Sequence, residues 1–192
     1  MTHKDHVELV RDGVLTSGGV WADLGSGTGA FTLALRDVAG ADVTIYSIDK
    51  DETALEYQKK AFDQQFPGTN ITFITADFTK PLKIPPLNGI IMANSLHFVQ
   101  DKAPLLKRVR DYLKEDGRFI VVEYNTDTGN WWVPYPLSFQ TFQELAVQSG
   151  FTKPQLLKTV PSHFLKEIYA AVTLRNSARR RCRHAKSSTP QF

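Results

Sequence analysis

The chain has 192 residues, 42% of them hydrophobic and 22% charged, with a single cysteine and a formal net charge of +3. This is the mix of one soluble globular domain with a core of its own. It excludes an intramolecular disulfide, and no apolar run is long enough to cross a bilayer. Six of the cationic side chains lie in residues 175–192, which hold no acid, so the remaining body is mildly acidic and the alkaline balance says nothing about its ligand.

The opening stretch, MTHKDHVELVRDG, lacks the apolar core of a secretory signal, so a cytoplasmic protein is expected. Val7, Leu9, Val10, Val14 and Leu15 predict a short helix over 7–17, and residues 1–17 form a candidate lid. Residues 20–24 read as a buried strand that runs into a glycine turn. A helix follows with Phe31, Leu33, Ala34, Leu35 and Val38 on its apolar face and Gly40 as its stop. DVTIYSID is a second strand, and DETALEYQKKAFDQQF is a second helix broken by Pro67-Gly68. NITFITAD is the third strand and GIIMANSL the fourth. DKAPLLKRVRDYLKEDG is a helix with Pro104 in its first turn and Gly117 past its end, and RFIVVEYN is the fifth strand. After the aromatic, proline-rich loop 125–138 come a helix from Phe139 to Gly150, capped by Ser138, and two closing strands. Five alternations of strand and helix, with two closing strands, predict an α/β fold: a doubly wound sheet of about seven strands, mostly parallel. Residues 1–174 form one domain on this reading, and the basic stretch 175–192 is predicted to be a disordered tail.

In a doubly wound sheet the ligand binds at the carboxyl ends of the strands, so the loop after the first strand is the natural site. A lone G-x-G-x-x-G is a weak signal. Here the pattern is Asp23-x-Gly25-x-Gly27-x-Gly29, and the acid changes its meaning. A pyrophosphate prefers a bare helix N-terminus. A carboxylate beside it repels phosphate and favours a cationic group, an ammonium or a sulfonium. Asp49 ends the second strand, where a carboxylate accepts hydrogen bonds from vicinal ribose hydroxyls. Asp77-Phe78 ends the third and offers an acceptor for an exocyclic amine beside an aromatic face. The inferred ligand has an adenosine, a positive end and no required phosphate.

This constellation resembles the class I S-adenosylmethionine-dependent methyltransferases over roughly residues 18–174. The resemblance rests on ADLGSGTGAF, YSIDKD, TADF, IIMANSLHFV and LKEDGRFIVVEYN, in that order. Asp116 departs from the family's pattern by standing where a first glycine is usual. The resemblance implies a Rossmann-like fold whose sheet ends in an antiparallel C-terminal strand, and S-adenosyl-L-methionine as cofactor. Gly25, Ser26, Gly27, Thr28 and Gly29 would lie along its methionine part, with Asp23 near the ammonium. Asp49 would hold the ribose with Lys50 beside the adenine, Asp77 and Phe78 would read the base, and Asn94 would contact the methionine part. It further implies methyl transfer to a small-molecule acceptor without a large cap domain. The chain would act as a monomer or homodimer, nucleic acid being a less favoured partner.

Methyl transfer from a sulfonium is an in-line displacement, which needs alignment more than a base. His97 is the candidate base for an acidic acceptor, its alternative being a histidine packed under the next helix. His6 is either part of a lid or an exposed N-terminal residue, and His163 reads as structural. Trp131, Trp132, Tyr135 and Phe139 would line an acceptor pocket, with Tyr135 a second catalytic candidate, or else form a lid or dimer patch. The arginine run binds an anionic partner or is simply solvated, and nothing pairs with Cys182 as a base. No His, Cys or carboxylate spacing calls for a metal. Two other functions fit parts of the pattern: a nicotinamide-dependent oxidoreductase, and a non-catalytic S-adenosylmethionine-binding protein.

Overall fold

The computed structural model describes residues 1–162 and 164–176. The expectations placed on His163, on Cys182 and on the arginine run after Arg175 lie outside these residues. Seven strands form one sheet in the order β3-β2-β1-β4-β5-β7-β6. The strands are β1 Gly19–Leu24, β2 Val43–Asp49, β3 Asn70–Thr75, β4 Leu87–Ala93, β5 Leu113–Tyr124, β6 Gln155–Ser162 and β7 Lys166–Leu174. The first five pair in parallel, while β7 runs antiparallel to both β5 and β6. The helices are α1 His3–Val10, α2 Ala30–Ala39, α3 Glu52–Gln65, α4 Lys102–Tyr112 and α5 Phe139–Gln148.

The central strands are apolar on both sides because both sides are covered. Ile91, Ile120, Val122, Ala170 and Val172 pack with residues of α1 and α2 and with Phe62 of α3. Their neighbours Ile90, Met92, Phe119, Val121, Tyr169 and Ala171 point the other way, onto Leu105, Leu106 and Val109 of α4 and Phe142 and Ala146 of α5. The chain builds outward from β1 to β3 and then returns to place β4 on β1's other side. The crevice at the carboxyl ends of β1 and β4 therefore opens where the strand order reverses, the position in which such sheets hold ligands.

Three boundaries differ from the expectation. The first helix starts at His3 because Thr2 and Asp5 cap it reciprocally, and it tightens into a 3-10 turn over Arg11–Gly13. β4 ends at Ala93, since Asn94 takes a left-handed backbone with φ of 52°. α4 stops at Tyr112 because Leu113 already pairs with Leu87. The sheet thus claims a residue whose side chain fits the helical stripe, and Asp116, φ 59°, carries the irregularity before Arg118 rejoins the ladder. At the far end, Arg175 and Asn176 donate backbone hydrogen bonds to Gly117 and Gly150, so sheet-edge contacts continue just past the expected limit at Leu174.

Candidate active site

A cavity of about 580 Å³ lies at the carboxyl ends of β1, β2 and β4. Of the residues expected to bind the cofactor, Asp23, Gly25, Ser26, Gly27, Thr28, Asp49, Lys50, Asp77, Phe78 and Asn94 line it. Gly29 does not. His6 and Phe31 also line it, as do Phe98 and Val99.

The first acid, Asp23, is 1% exposed. Its Oδ2 accepts a 2.6 Å hydrogen bond from the Thr32 hydroxyl in the first turn of α2. Burial, with a smaller contribution from the Asp49 charge, pushes its pKa up to about 7 against the pull of Thr32. A carboxyl in that state gains most from a cation placed beside it. Asp49, half-buried, is held by the glycine loop: Gly27 N–H donates to Oδ2 at 2.7 Å, and Asp51 N–H donates to Oδ1 at 2.9 Å. Each oxygen keeps a lone pair for a further donor. Asp77 is exposed, and its Oδ1 accepts from both the backbone and the hydroxyl of Thr79, which hold its pKa low. Its other oxygen has no hydrogen bond among the described residues.

The glycines are bare for two different reasons. A Cβ on Gly25 would sit 2.5 Å from the Ser95 side chain and 3.0 Å from Phe78, and one on Gly29 would sit 2.3 Å from Gln58. Those two positions are emptied by the protein itself. A Cβ on Gly27 would meet nothing within 4 Å, so there it is the cavity that is kept open. Beneath the loop, Ser47 donates to Ser26 and to Gln58 Oε1, while Ser95 donates to the Leu24 carbonyl at 2.7 Å. The sequence reading missed Thr32, Gln58 and Ser95. Gln58 had a signal: Ala54, Gln58 and Phe62 share one buried face of α3 at i, i+4 spacing, and a glutamine there needs a polar partner.

Asn94 turns the chain at the end of β4. Its N–H bonds the Val122 carbonyl at 2.8 Å, while its side-chain oxygen is buried with no partner among the described residues. An orphaned acceptor on a cavity wall implies a donor that the ligand brings.

The two catalytic candidates lie elsewhere. His97 follows the cavity-lining Asn94 and Ser95 but is buried behind the wall. Its Nδ1 is 2.8 Å from Glu123 Oε2, and its N–H donates to Glu123 Oε1. It is packed, as in the alternative raised above, but its partners are Glu123 and Tyr124 of β5 and its neighbour Phe98. Tyr135 lines a separate, open hollow with Trp131 and Pro134, and its N–H donates to the His97 carbonyl at 3.0 Å. Of the two candidate histidines among the described residues, His6 is the one that lines the cavity. It packs at a tilt against Phe31, with ring centroids 4.7 Å apart, and half-burial lowers its pKa. No group of three or more metal-ligating side chains occurs among the described residues, and no helix there is long and apolar enough to cross a membrane.

The residues fit an S-adenosylmethionine-type ligand on structural grounds alone: a buried acid short of a cation, an unpaired acceptor, and a glycine whose Cβ would project into open space. Comparison with known proteins agrees. A family model described as "Methyltransferase domain" matches residues 15–164. A probable cobalt-precorrin-6B C(15)-methyltransferase (decarboxylating) from Thermoplasma volcanium is 26% identical over 124 residues, 65% of this chain, and the match spans only 60% of that protein's length. Among solved structures, a SAM-dependent methyltransferase from Aquifex aeolicus superposes with a TM-score of 0.69 at 17% identity, covering 89% of each chain. Magnesium protoporphyrin IX methyltransferase from Synechocystis PCC 6803 with bound SAM gives 0.67 at 18% identity, covering 90% of this chain and 77% of that one. The nicotinamide oxidoreductase is thereby set aside, and the chain belongs to the methyltransferase domain family, with the fold of the class I S-adenosylmethionine-dependent methyltransferases.

Proposed function

We propose that the chain holds S-adenosylmethionine in the 580 Å³ cavity and transfers its methyl group to a small-molecule acceptor by in-line displacement. The observation that carries this reading is the convergence on one cavity of Asp23, Asp49 and Asp77 with the orphaned oxygen of Asn94. Asp23 and Asn94 face the ammonium end, Asp49 the ribose hydroxyls, and Asp77 with Phe78 the adenine, Lys50 lying beside it. Gly25, Ser26, Gly27 and Thr28 form the wall along the methionine part. Gly29 shapes that wall from behind by admitting Gln58.

The sulfonium, when bound, supplies a methyl group already activated by its positive charge. The chain's part is to align the acceptor and keep water out. Where the acceptor must lose a proton, His6 is placed to take it, being on the cavity and biased towards the neutral form. His97 then acts through position: with Glu123 it sets the turn that carries Phe98.

Calorimetry with S-adenosylhomocysteine tests the reading. Saturable binding is expected, with no competition from NADH. Asp49→Ala is expected to lose the charge-assisted hydrogen bonds to the ribose, about 1.5–3 kcal/mol or roughly 10- to 150-fold in Kd. Unchanged affinity would remove Asp49 from the ribose.

A further inference from the structure

The site described so far specifies the methyl donor. The acceptor's chemistry is legible in the surface beside it. Loop 125–138 leaves Trp131 91% exposed and Trp132 71% exposed, although almost everything else about this loop is tied down. Asn125 donates to Glu167 through its backbone and its side chain and accepts from Phe139 N–H. Asp127 accepts from the N–H and hydroxyl of Ser138. Asn130 Oδ1 accepts from the N–H groups of Trp132 and Val133. Val133 and Leu137 are buried anchors, and a Cβ on Gly129 would sit 2.3 Å from the Pro134 carbonyl oxygen, so the turn is closed backbone on backbone. A loop this constrained does not hold indoles in water for want of alternatives; isolated exposed aromatics need no explanation, but preordered ones do.

Trp131 and Tyr135 line an open hollow with Gly129, Asn130 and Pro134, a set with no charged member. One backbone hydrogen bond ties the hollow to the wall of the donor cavity. Tyr135 N–H binds the His97 carbonyl, and the next residue, Phe98, is 61% exposed and lines that cavity. The nearby ammonium of Lys102 is spent on the carbonyls of Val99 and Tyr135, at 2.7 Å each. That ammonium lies 6.0 Å from the Tyr135 ring centroid but is already bound to two carbonyls, and none of the described residues lining the hollow offers an anionic head group a cation. A cation-binding aromatic cage would set its rings against one another, whereas neither indole has an aromatic partner at stacking distance among the described residues. A membrane-binding patch would gain from basic residues around the indoles, and none of the described residues that line the hollow is basic.

We propose that Trp131, Tyr135 and Phe98 form the acceptor platform, and that the acceptor is a planar, conjugated, uncharged ring system. It lies flat on Trp131 and Tyr135 and reaches across Phe98 with its nucleophilic atom. The proposal rests on the cavity being the methyl-donor site. In the transfer, the acceptor's lone pair forms the new bond to the methyl carbon. The carbon–sulfur bond breaks with its electrons going to sulfur, and a hydroxyl or amine acceptor then gives its proton to His6 or solvent.

The test uses the whole chain, with and without saturating S-adenosylhomocysteine. Calorimetric titrations compare 2-naphthol with decahydro-2-naphthol, the same skeleton without a flat π-face. Saturable 2-naphthol binding at least ~10-fold tighter than the saturated analogue is expected. Trp131→Ala should weaken it by about 5- to 150-fold, the range of ring stacking on an aromatic side chain, and Trp131→Phe should restore most of it. Neither change should move the affinity for S-adenosylhomocysteine. Equal binding of the two naphthols, indifference to Trp131→Ala, or Trp131-dependent sedimentation with phosphatidylcholine–phosphatidylglycerol vesicles in place of naphthol binding would overturn the platform. Failure to bind S-adenosylhomocysteine would instead overturn the donor site, because the naphthol titrations without it judge the platform separately.

Discussion

Asp23 shows how one side chain links proton and ligand. Its folded-state pKa is raised, to about 7, from an ordinary value near 3.8. The free fold therefore retains a proton that the unfolded chain releases. Stability falls as pH rises from about 4 to about 7 and is flat with respect to this group above that. A ligand ammonium needs the ionised form, so affinity for S-adenosylhomocysteine is expected to rise with pH and level off above about 7. Binding should release close to one proton at pH 6 and almost none at pH 8. Calorimetry in two buffers of different ionisation heat measures this, and Asp23→Asn should flatten the profile. The glycines make a second prediction at this scale. Gly29→Ala drives a Cβ into Gln58 at a φ of +90°, so a melt should show a loss of several kcal/mol, read as a fall in Tm of roughly 5–15 °C. Gly27→Ala has room for its Cβ and should cost only about 1–2 kcal/mol of backbone strain, with its main effect on ligand affinity. The acids and the glycine spacing were legible in the sequence because strand ends are. Which neighbour each glycine admits was not, because Ser95 and Gln58 come from other elements.

Among the elements, the loop between β5 and α5 is the one whose order exceeds what its composition announces. Its prolines and aromatics mark a stiff wall in the sequence. Its clamps, however, pair residues far apart in the chain, such as Asn125 with Glu167 and Tyr135 with His97, and no local pattern reports them. Gly129→Ala cannot be absorbed by a rotamer, since the clash is with a backbone carbonyl. The turn should open, limited proteolysis should cut near Trp131, and 2-naphthol binding should fall while S-adenosylhomocysteine binding and Tm stay close to those of the parent. The helix ends tell the same story. Asp51, Asp101 and Ser138 cap α3, α4 and α5 by rules the sequence displays, whereas the early end of α4 depends on Leu113 finding Leu87 across the sheet.

For the whole molecule, the alternation of strands and helices was enough to read the doubly wound sheet, while its reversed closing strand came from the family resemblance. The sequence did not show that α1 would pack on α2 and touch β6, where Lys158 meets Glu8 at 3.1 Å, or that this would carry His6 to the cavity. Such docking depends on the finished core. Val7, Leu9 and Val10 are buried, at about 1.5–3 kcal/mol each, against the ~5–15 kcal/mol that holds a domain together. Removing residues 1–13 should therefore abolish a cooperative melt in circular dichroism, whereas His6→Ala should melt with the parent.

The reversed strand has a consequence for how this molecule can change. Because β7 runs against β5, its first residues stand beside Tyr124, and the turn before it brings Phe164 within 5.9 Å of that ring. A parallel strand would have placed that turn on the opposite edge. The residues that would hold the donor come from positions up to 99, while the surface beside them is written by two later segments, 125–138 and the turn near 164. Apart from Phe98, which belongs to both, the residues proposed for donor and acceptor thus occupy separate stretches of one gene, and most of the second set can be rewritten, by drift or by grafting, without respelling the first.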